Sequence, residues 1–419
     1  MPGTRTKPSA RAIDDLIVHQ RVHALYQPIV RISSREVVAY EALARGPHGS
    51  DLESPAAMFA AAASAGRTRE LDWECQRAAL SGAMHANLGL ETRLFVNVEP
   101  SALDDDRPPA VAAAFARAEQ ELGVVLEISE RAVLDRPRQL LDVVARARRH
   151  GWGIALDDVG VNPASLSLMP LIDPDVIKLD LSIVQEHPTA ETGRLLNAVV
   201  AQVERSGAQL LAEGIETVAH EDTARSLGAT LGQGWLYGRP GPALPRAVAH
   251  GRRLPTTPAR SVRVPDTPFD LVDEDESALI APKRLLLAIS HDLEDSARRS
   301  GDRPVVIGAF QSADRFTVAT RRRYEQLAAE CTFVGAVGRD LGSEPAPGVR
   351  GGALAADDRL IGEWTVVVLS PHTAAALIAR EIDDRGPDSE RRFAYKITHD
   401  RTRVALAARS LLHRIVATG

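Results

Sequence analysis

Six short apolar runs in the first half of the chain each end at a charged or amide side chain, and this pattern constrains the fold more than any other feature. An apolar run of about four to eight residues is typical of a buried strand. The intervals between the runs are long enough to hold a helix, and strands that alternate with helices predict βα units around a parallel sheet. The residues that follow the runs are Glu41, Asn97, Glu127, the pair Asp157-Asp158, Lys178 and Glu213.

Side chains at the carboxyl ends of parallel strands line the binding site in such folds. Carboxylate and amide oxygens suit hard cations, so the set predicts a site for Mg²⁺ or Mn²⁺. Asp157 could bridge to a second ion held by Asp158, because two ions about 3.5–4 Å apart can clamp an in-line phosphoryl displacement. Glu213 could orient or deprotonate the attacking water, and Lys178 could neutralise developing charge. The alternative that one or two of these carboxylates cap helices remains open, above all for Asp158.

Lysine usage gives Lys178 additional weight. Only four of the 50 basic residues are lysines, so this chain uses arginine almost wherever it places a cation. A compact ammonium with an adjustable pKa differs chemically from a guanidinium fork. Lys178 is therefore a candidate functional residue. The alternative is that a lysine occurs at this position by chance.

Composition limits the classes of protein to which the chain can belong. Its 419 residues suffice for two or three domains, and its net charge of −6 argues against nonspecific binding to a nucleic-acid polymer. Cys75 and Cys331 lie far apart and match no metal or redox spacing, which fits a reducing cytosol. The polar segment Met1–Ala12 does not resemble a secretory signal, and no run approaches the roughly 18 apolar residues of a membrane span. We therefore expect a cytoplasmic protein.

A break in the pattern predicts two domains. Prolines concentrate between residues 240 and 268, and the acidic run Asp273–Glu276 follows, as in a semi-rigid linker. We predict a barrel over residues 1–252, a linker over 253–279 and a smaller α/β domain over 280–419. Predicted strands of the second domain are Val305–Phe310, Thr332–Val337, Trp364–Leu369 and Phe393–Ile397, and predicted helices are Ala281–Ser300, Arg321–Glu330, His372–Ile382 and Arg401–Val416.

The first region resembles a known family in one signature sequence and seven further motifs, which occur in order over residues 20–245. The sequence Tyr40-Glu41-Ala42-Leu43-Ala44-Arg45 is similar to the signature of EAL domains, the cyclic di-GMP phosphodiesterases. The other motifs are Gln27-Pro28-Ile29, Asn97 in Phe-Val-Asn-Val, Glu127-Ile128-Ser129-Glu130, Asp157-Asp158, Ile177-Lys178-Leu179-Asp180, Ala212-Glu213-Gly214-Ile215-Glu216 and Gly232-Gln233-Gly234.

The resemblance implies a fold, a reaction and a set of roles. The fold is α/β, a modified TIM (β/α)8 barrel whose first strand runs antiparallel, and the reaction is metal-dependent hydrolysis of cyclic di-GMP to linear pGpG. By the family pattern, the first metal would be bound by Glu41, Asn97, Glu127 and Asp157, and the second by Asp157 and Asp158. The attacking water would be activated by Lys178 and Glu213. The nucleotide would be bound by Gln27, Leu43, Arg45 and Gln233, and the site would be supported by Glu130, Asp180 and Glu216.

One loop departs from the family pattern. Active members read close to Phe-Gly-Thr-Gly-Tyr-Ser-Ser after the paired aspartates, whereas this chain reads Val159 to Ser165 as Val-Gly-Val-Asn-Pro-Ala-Ser. Asn162 tolerates a positive φ, but Pro163 fixes φ and removes a donor. In the family this loop couples the metal site to a dimer interface, so the resemblance implies a homodimer. The alternatives are a weakly catalytic domain that acts as a cyclic di-GMP receptor or protein-interaction module, and a different TIM-barrel phosphohydrolase.

Residues from about 280 onward resemble the DICT domain, a sensory module, through motifs such as Val306–Gln311 and Gly362-Glu363-Trp364. The resemblance implies a regulatory signal or ligand but does not identify it. Phe310, Trp364 and His372 could line a pocket, although the alternative for Trp364 is a place in the core. His399-Asp400 suggests a helix cap rather than a metal site, because other spaced ligands are absent from the sequence.

Overall fold

The first half of the protein is a closed eight-stranded barrel with helices around it. The structure is a computed structural model that describes residues 10–99, 102, 106–129, 134–161, 164–244, 254, 264–272, 278–383 and 387–416. The first strand is antiparallel to both of its neighbours, the second and the eighth, while the pairs from the second strand onward are parallel. The predicted fold class is confirmed.

The bounds of the barrel elements follow chain order. The strands are β1 His23–Arg31, β2 Val37–Arg45, β3 Arg93–Val98, β4 Gly123–Ile128, β5 Gly153–Val159, β6 Val176–Leu179, β7 Gln209–Ala212 and β8 Leu231–Gln233. The helices are α1 Ala10–Val18, α2 Pro55–Ala65, α3 Thr68–His85, α4 Pro109–Glu121, α5 Pro137–Arg149, α6 Ala164–Ile172, α7 Leu181–Gln185, α8 Ala190–Ser206 and α9 Val218–Ser226.

The barrel interior has an apolar floor beneath a polar layer. Successive side chains of a strand point to opposite faces, so residues two apart share the interior. The buried apolar layer consists of Ile29, Ala39, Phe95, Val125, Ala155, Val176, Leu211 and Leu231, with Leu254 closing it. The residue two positions nearer the mouth is polar in every case, namely Gln27, Glu41, Asn97, Glu127, Asp157, Lys178, Glu213 and Gln233. Strand register alone therefore gathers these eight side chains in one layer.

The second half forms a seven-stranded mixed sheet. The strands are β9 Leu279–Pro282, β10 Val305–Ser312, β11 Phe333–Arg339, β12 Arg350–Ala353, β13 Glu363–Leu369, β14 Ala374–Asp383 and β15 Arg392–Thr398, and the helices are α10 Lys283–Arg299, α11 Val318–Glu330 and α12 Arg401–Leu412. The strands lie in the order β12-β11-β10-β13-β14-β15-β9. The central strands β10, β11 and β13 are buried on both faces, which accounts for their nearly continuous apolar runs.

One predicted element of this domain is wrong. Residues 372–382 were expected to form a helix, but Ala374–Asp383 is the strand β14, paired with β13 and β15. Alanine favours a helix locally. Here, however, six successive residues from Ala374 are buried between two flanking strands, so tertiary burial overrides propensity.

The last helix, α12, packs between the second sheet and the barrel. The sequence predicts one apolar face formed by Val404, Ala408, Leu411, Leu412 and Ile415. Ala405 and Leu406, which lie outside that face, are also buried. On one side α12 contacts β13 and β14, and on the other it contacts α5 and α6 of the barrel. The apolar residues of this helix, the sheet face beneath it and the barrel form one continuous core.

Residues 264–272 pack against the second sheet. The backbone N–H of Phe269 donates to the buried carboxylate of Glu363, and Arg359 binds Asp270. Within the described ranges, no helix combines the length and the apolar character needed to cross a bilayer.

Candidate active site

An amide-bridged network joins both sides of the barrel mouth. Asn97 Nδ2 donates to Glu41 Oε1 (3.2 Å) and to Glu127 Oε2 (2.7 Å). Gln233 Nε2 donates to Glu41 Oε2 (2.5 Å) and to Gln27 Oε1 (3.1 Å), and Gln27 in turn donates to the carbonyl of Gly238. Five of the predicted site residues are thus in direct contact, with Glu41 at the centre.

Lys178 occupies the middle of the carboxylates. Its Nζ lies 2.6 Å from Glu127 Oε1, 2.7 Å from Glu213 Oε1, 2.9 Å from Asp157 Oδ1 and 3.7 Å from Glu41 Oε1. An ammonium has three protons, so it cannot direct a hydrogen bond at all four groups. Accordingly, Glu127 Oε1 and Asp157 Oδ1 are in ionic contact with Lys178 but receive no well-directed hydrogen bond.

The site holds more negative charge than one lysine can neutralise. Burial raises the pKa of Glu127 well above its ordinary value, and the nearby Glu41 carboxylate raises it further. Burial likewise raises the pKa of Glu213 to about 7, against the opposing effect of Lys178. Burial alone would lower the pKa of Lys178, but Asp157, Glu127, Glu213 and Glu41 together raise it well above its ordinary value. The lysine is therefore held as a cation.

The donor set fits a hard divalent cation. Among the described residues, the ligand atoms of Asp157, Asp158 and Glu213 all lie within 4.8 Å of one another. Burial raises the pKa of Asp158, and the neighbouring Asp157 carboxylate raises it further. Carboxylate oxygens that lack directed donors and share one buried lysine are the chemistry that Mg²⁺ or Mn²⁺ binds.

The two aspartates sit on an irregular strand end. The pairing of β5 with β6 shifts register between Leu156 and Val159, and Asp158 has a φ of +55°. A non-glycine residue in this region costs roughly 1–3 kcal/mol and persists only where its surroundings determine it. Asn162 and Pro163, the two departures in the loop, lie outside the described residues.

The remaining predicted residues occupy different positions around the mouth. Leu43 and Arg45 lie two and four positions after Glu41 on β2, so they share its face of the strand and extend the site toward the rim. Asp180 caps α7 by accepting from the backbone of Ser182 (2.9 Å), and its own N–H donates to the Val159 carbonyl. Glu216 is exposed, and its backbone N–H contacts His220. Glu130 lies outside the described residues.

Trp235 is a candidate that the motif patterns did not single out. It lies two positions after the layer residue Gln233 and is 51% exposed, and the guanidinium carbon of Arg239 lies 3.8 Å from the ring centroid. Gly234 has a φ of +156°, and a Cβ there would lie 2.1 Å from the Ile215 carbonyl oxygen, so the tight turn that presents Trp235 requires glycine. The signal available in the sequence was a tryptophan that directly follows the Gly232-Gln233-Gly234 motif.

Asp72 of α3 supports the loop that follows Asn97. Its carboxylate is buried and accepts from the backbone N–H of Glu99 (3.1 Å) and from Gln76 (2.5 Å). Burial raises the pKa of Asp72 to about 7. The folded protein therefore binds this proton more tightly than the unfolded chain does, and the resulting stability is lost as pH rises from about 4 through 7.

We expect Asp72→Asn to remove this pH dependence. As pH rises from about 4 to 7, the free energy of unfolding of the wild type should fall relative to that of the variant by an amount on the order of 4 kcal/mol, because each pKa unit is worth about 1.4 kcal/mol. Urea unfolding at several pH values measures it. The exposed Asp51→Asn variant is the control, and parallel profiles for wild type and Asp72→Asn would contradict the expectation.

The aromatic and histidine residues of the second domain do not form one pocket. Phe310 and Trp364 are cross-strand neighbours, and Trp364 packs edge-on against Phe393 in the core. His372 is exposed beyond the opposite end of β13. The predicted cap is confirmed, since Asp400 accepts from the backbone N–H of Arg403 (2.9 Å).

Comparison with protein families decides the class. The model of the EAL domain matches residues 10–240, more than half of the chain. The chain belongs to the EAL-domain family. A second model, the DICT sensory domain of diguanylate cyclases and two-component systems, matches residues 270–382. The polar layer described above is thus the interior of an EAL barrel.

Curated relatives share this EAL barrel. A probable cyclic di-GMP phosphodiesterase of Escherichia coli, PdeB, is 29% identical over 243 residues, which cover 56% of this chain and 45% of the relative. The cyclic di-GMP phosphodiesterase RocR of Pseudomonas aeruginosa is 29% identical over 225 residues, 52% of this chain and 57% of RocR. The chain therefore spans about half the length of these relatives.

Solved structures are also similar to the EAL barrel. The manganese and cyclic di-GMP complex of Klebsiella pneumoniae BlrP1 at pH 9.0 is 32% identical, covers 53% of this chain and 56% of that chain, and has a TM-score of 0.46. The cyclic di-GMP complex of the PaMucR phosphodiesterase is 22% identical over 56% of this chain and 97% of that chain, with a TM-score of 0.48.

Proposed function

We propose that this protein hydrolyses one phosphodiester of cyclic di-GMP to linear pGpG and requires Mg²⁺ or Mn²⁺. The polar layer carries the proposal, because all eight inward side chains at the mouth are charged or amide groups. The curated names of PdeB and RocR support the choice of substrate.

The carboxylates of the site would hold the cations. Glu41, Asn97, Glu127 and Asp157 would bind the first ion, and Asp157 and Asp158 the second. When bound, the ions would polarise the scissile phosphodiester and lower the pKa of water. Without cations the carboxylates would repel an anionic substrate, which is the physical reason that this site needs a metal.

Two protein groups would act on the attacking water. Glu213 contacts Lys178 and its carboxyl has a pKa of about 7, close to the value at which a general base works best at neutral pH. The Lys178 ammonium would place positive charge beside the reacting oxygen without needing to change protonation state.

The rim would bind the nucleotide. Gln27 and Gln233 lie at the edge of the carboxylates, where amide groups can contact the substrate, and Arg45 extends beyond Glu41 with a guanidinium suited to a phosphate. Leu43 would add an apolar contact on the same strand face. Trp235 offers an exposed aromatic platform for a guanine base.

We expect Trp235→Ala to weaken substrate binding more than chemistry. Base stacking on an aromatic side chain is worth about 1–3 kcal/mol, or roughly 5- to 150-fold in affinity. KM for cyclic di-GMP should rise in this range while kcat stays within a few-fold. Trp235→Phe, which keeps a ring, should retain most of the affinity, and equal losses in both variants would contradict a stacking role.

Turnover by the wild-type chain tests the function. Cyclic di-GMP is incubated with the full chain and Mn²⁺ or Mg²⁺, with a chelated sample beside it, and pGpG is followed by chromatography. Product only in the presence of metal is expected. The altered loop from Val159 to Ser165 favours a second candidate, a cyclic di-GMP receptor, which would give binding by calorimetry without product.

Several finer predictions accompany this proposal. A cytoplasmic location rests on the two widely spaced cysteines, and the domain limits at 252 and 280 rest on composition. A homodimer, if it forms through the barrel, has to use a surface other than the parts of α5 and α6 that α12 covers. The DICT region would carry an unidentified regulatory ligand.

A further inference from the structure

The C-terminal domain contacts the helix that follows the two site aspartates. Helix α6 begins at residue 164, five residues after β5 ends, and β5 carries Asp157 and Asp158. The apolar side chains Leu168, Met169, Leu171 and Ile172 of α6 are almost completely buried. Because only four residues separate the two elements along the chain, we expect a displacement of α6 to reach the strand end that carries the aspartates.

Arg409 of α12 binds the carboxyl-terminal end of α6. Its Nε donates to the Leu171 carbonyl (2.9 Å) and its Nη2 donates to the Pro170 carbonyl (3.4 Å). The last carbonyls of a helix have no partner within the helix, and a cation there also complements the helix dipole. Arg409 thus fixes α6 at the end remote from the active site.

Ser167 forms a second attachment in the middle of α6. Its hydroxyl is buried and lies 2.9 Å from the carbonyls of both Asp302 and Arg303, in the turn before β10. These two carbonyls and Arg409 come from different parts of the second domain. Two separate points therefore define the position and rotation of α6 relative to that domain.

The strand end that α6 follows is strained. Asp158 has a left-handed φ, and the pairing of β5 is irregular at both aspartates. Gly160 is so closely packed that a Cβ would lie 2.7 Å from Ile183. Such a conformation relaxes when its surroundings stop determining it.

We propose that the C-terminal domain sets the positions of Asp157 and Asp158 through α6, with Arg409 and Ser167 as positioning residues. Docking of α12 holds the strand end in the form that binds the second cation. A signal that shifts the second domain would change metal occupancy. This inference rests on the proposed metal-dependent function. The experiment below distinguishes failure of the inference from failure of the proposed function.

Metal affinity, measured apart from turnover, tests the inference. Free Mn²⁺ is titrated with the full chain and followed by electron paramagnetic resonance, for wild type, Arg409→Gln, Arg409→Lys and Ser167→Ala. We expect Mn²⁺ binding to weaken at least fivefold in Arg409→Gln and less in Ser167→Ala, with Arg409→Lys between wild type and Gln. At saturating Mn²⁺, kcat should return to within about threefold of wild type.

The control is Arg299→Gln, which removes an exposed guanidinium from the same domain and should leave Mn²⁺ binding unchanged. Wild-type Mn²⁺ affinity in both Arg409→Gln and Ser167→Ala would overturn the inference. If Arg409→Gln does not fold, Ser167→Ala alone decides. If the wild type itself binds no Mn²⁺, the proposed function fails.

Discussion

Glu41→Ala in the full chain is expected to reduce turnover of cyclic di-GMP by at least about 10³-fold, a loss of roughly 4 kcal/mol of transition-state stabilisation. Glu41 receives hydrogen bonds from Asn97 and Gln233 and lies 3.7 Å from Lys178, so its loss removes a proposed metal ligand and releases two amides. The measurement is pGpG formation under saturating substrate and Mn²⁺, with circular dichroism to verify folding.

Two further variants make this result specific. Glu41→Gln keeps the shape of the side chain and removes its charge, so it should lose nearly as much activity if the carboxylate binds a cation. Glu36→Ala removes an exposed carboxylate near the start of the same strand and should retain wild-type turnover. Activity of Glu41→Ala within tenfold of wild type would show that Glu41 does not hold the metal.

Lys178→Met should make the folded state depend on metal. The variant removes the cation that faces four carboxylates, and breaking a buried ion pair costs about 3–5 kcal/mol. We expect Tm in chelator to fall by roughly 10 °C, since about 1 kcal/mol corresponds to 2–4 °C in a domain of this size. Turnover should also fall, because the ammonium beside Glu213 is lost.

Added Mn²⁺ should restore much of the lost stability, because a divalent cation can replace the missing charge, and a ligand that binds only the folded state raises Tm by mass action. The Mn²⁺-induced rise in Tm should therefore be larger in Lys178→Met than in wild type. Lys396→Met, a partly exposed lysine on β15, is the control. Equal metal-free Tm values for Lys178→Met and wild type would contradict the argument.

The polar layer could be predicted from sequence because strand position fixes side-chain direction. Each of Glu41, Asn97, Glu127, Asp157 and Lys178 lies two positions after a buried apolar residue of its own strand, a spacing visible in the sequence. The contacts between them depend on barrel closure. That Lys178 sits among four carboxylates follows from tertiary structure, which the pattern alone does not contain.

Other features were missed for physical reasons. The alanine-rich run of β14 favours a helix locally, and only its two strand neighbours make it extended. Ala405 and Leu406 of α12 lie outside its predicted apolar face, and their burial depends on the packing of this helix between the sheet and the barrel, which the sequence alone does not contain. Trp235 follows a glycine whose necessity depends on contact with Ile215, which is distant in sequence.

Leu254 gives the barrel a floor that comes from outside its own strands. Its side chain is completely buried among the apolar residues of the lower interior layer, although it follows the last strand by 21 positions. Helix α12 likewise comes from beyond the eighth strand, and its apolar residues share one core with the outer helices of the barrel. The two halves of the chain therefore share buried apolar surface, and separating them by cutting the chain is expected to expose apolar residues of both.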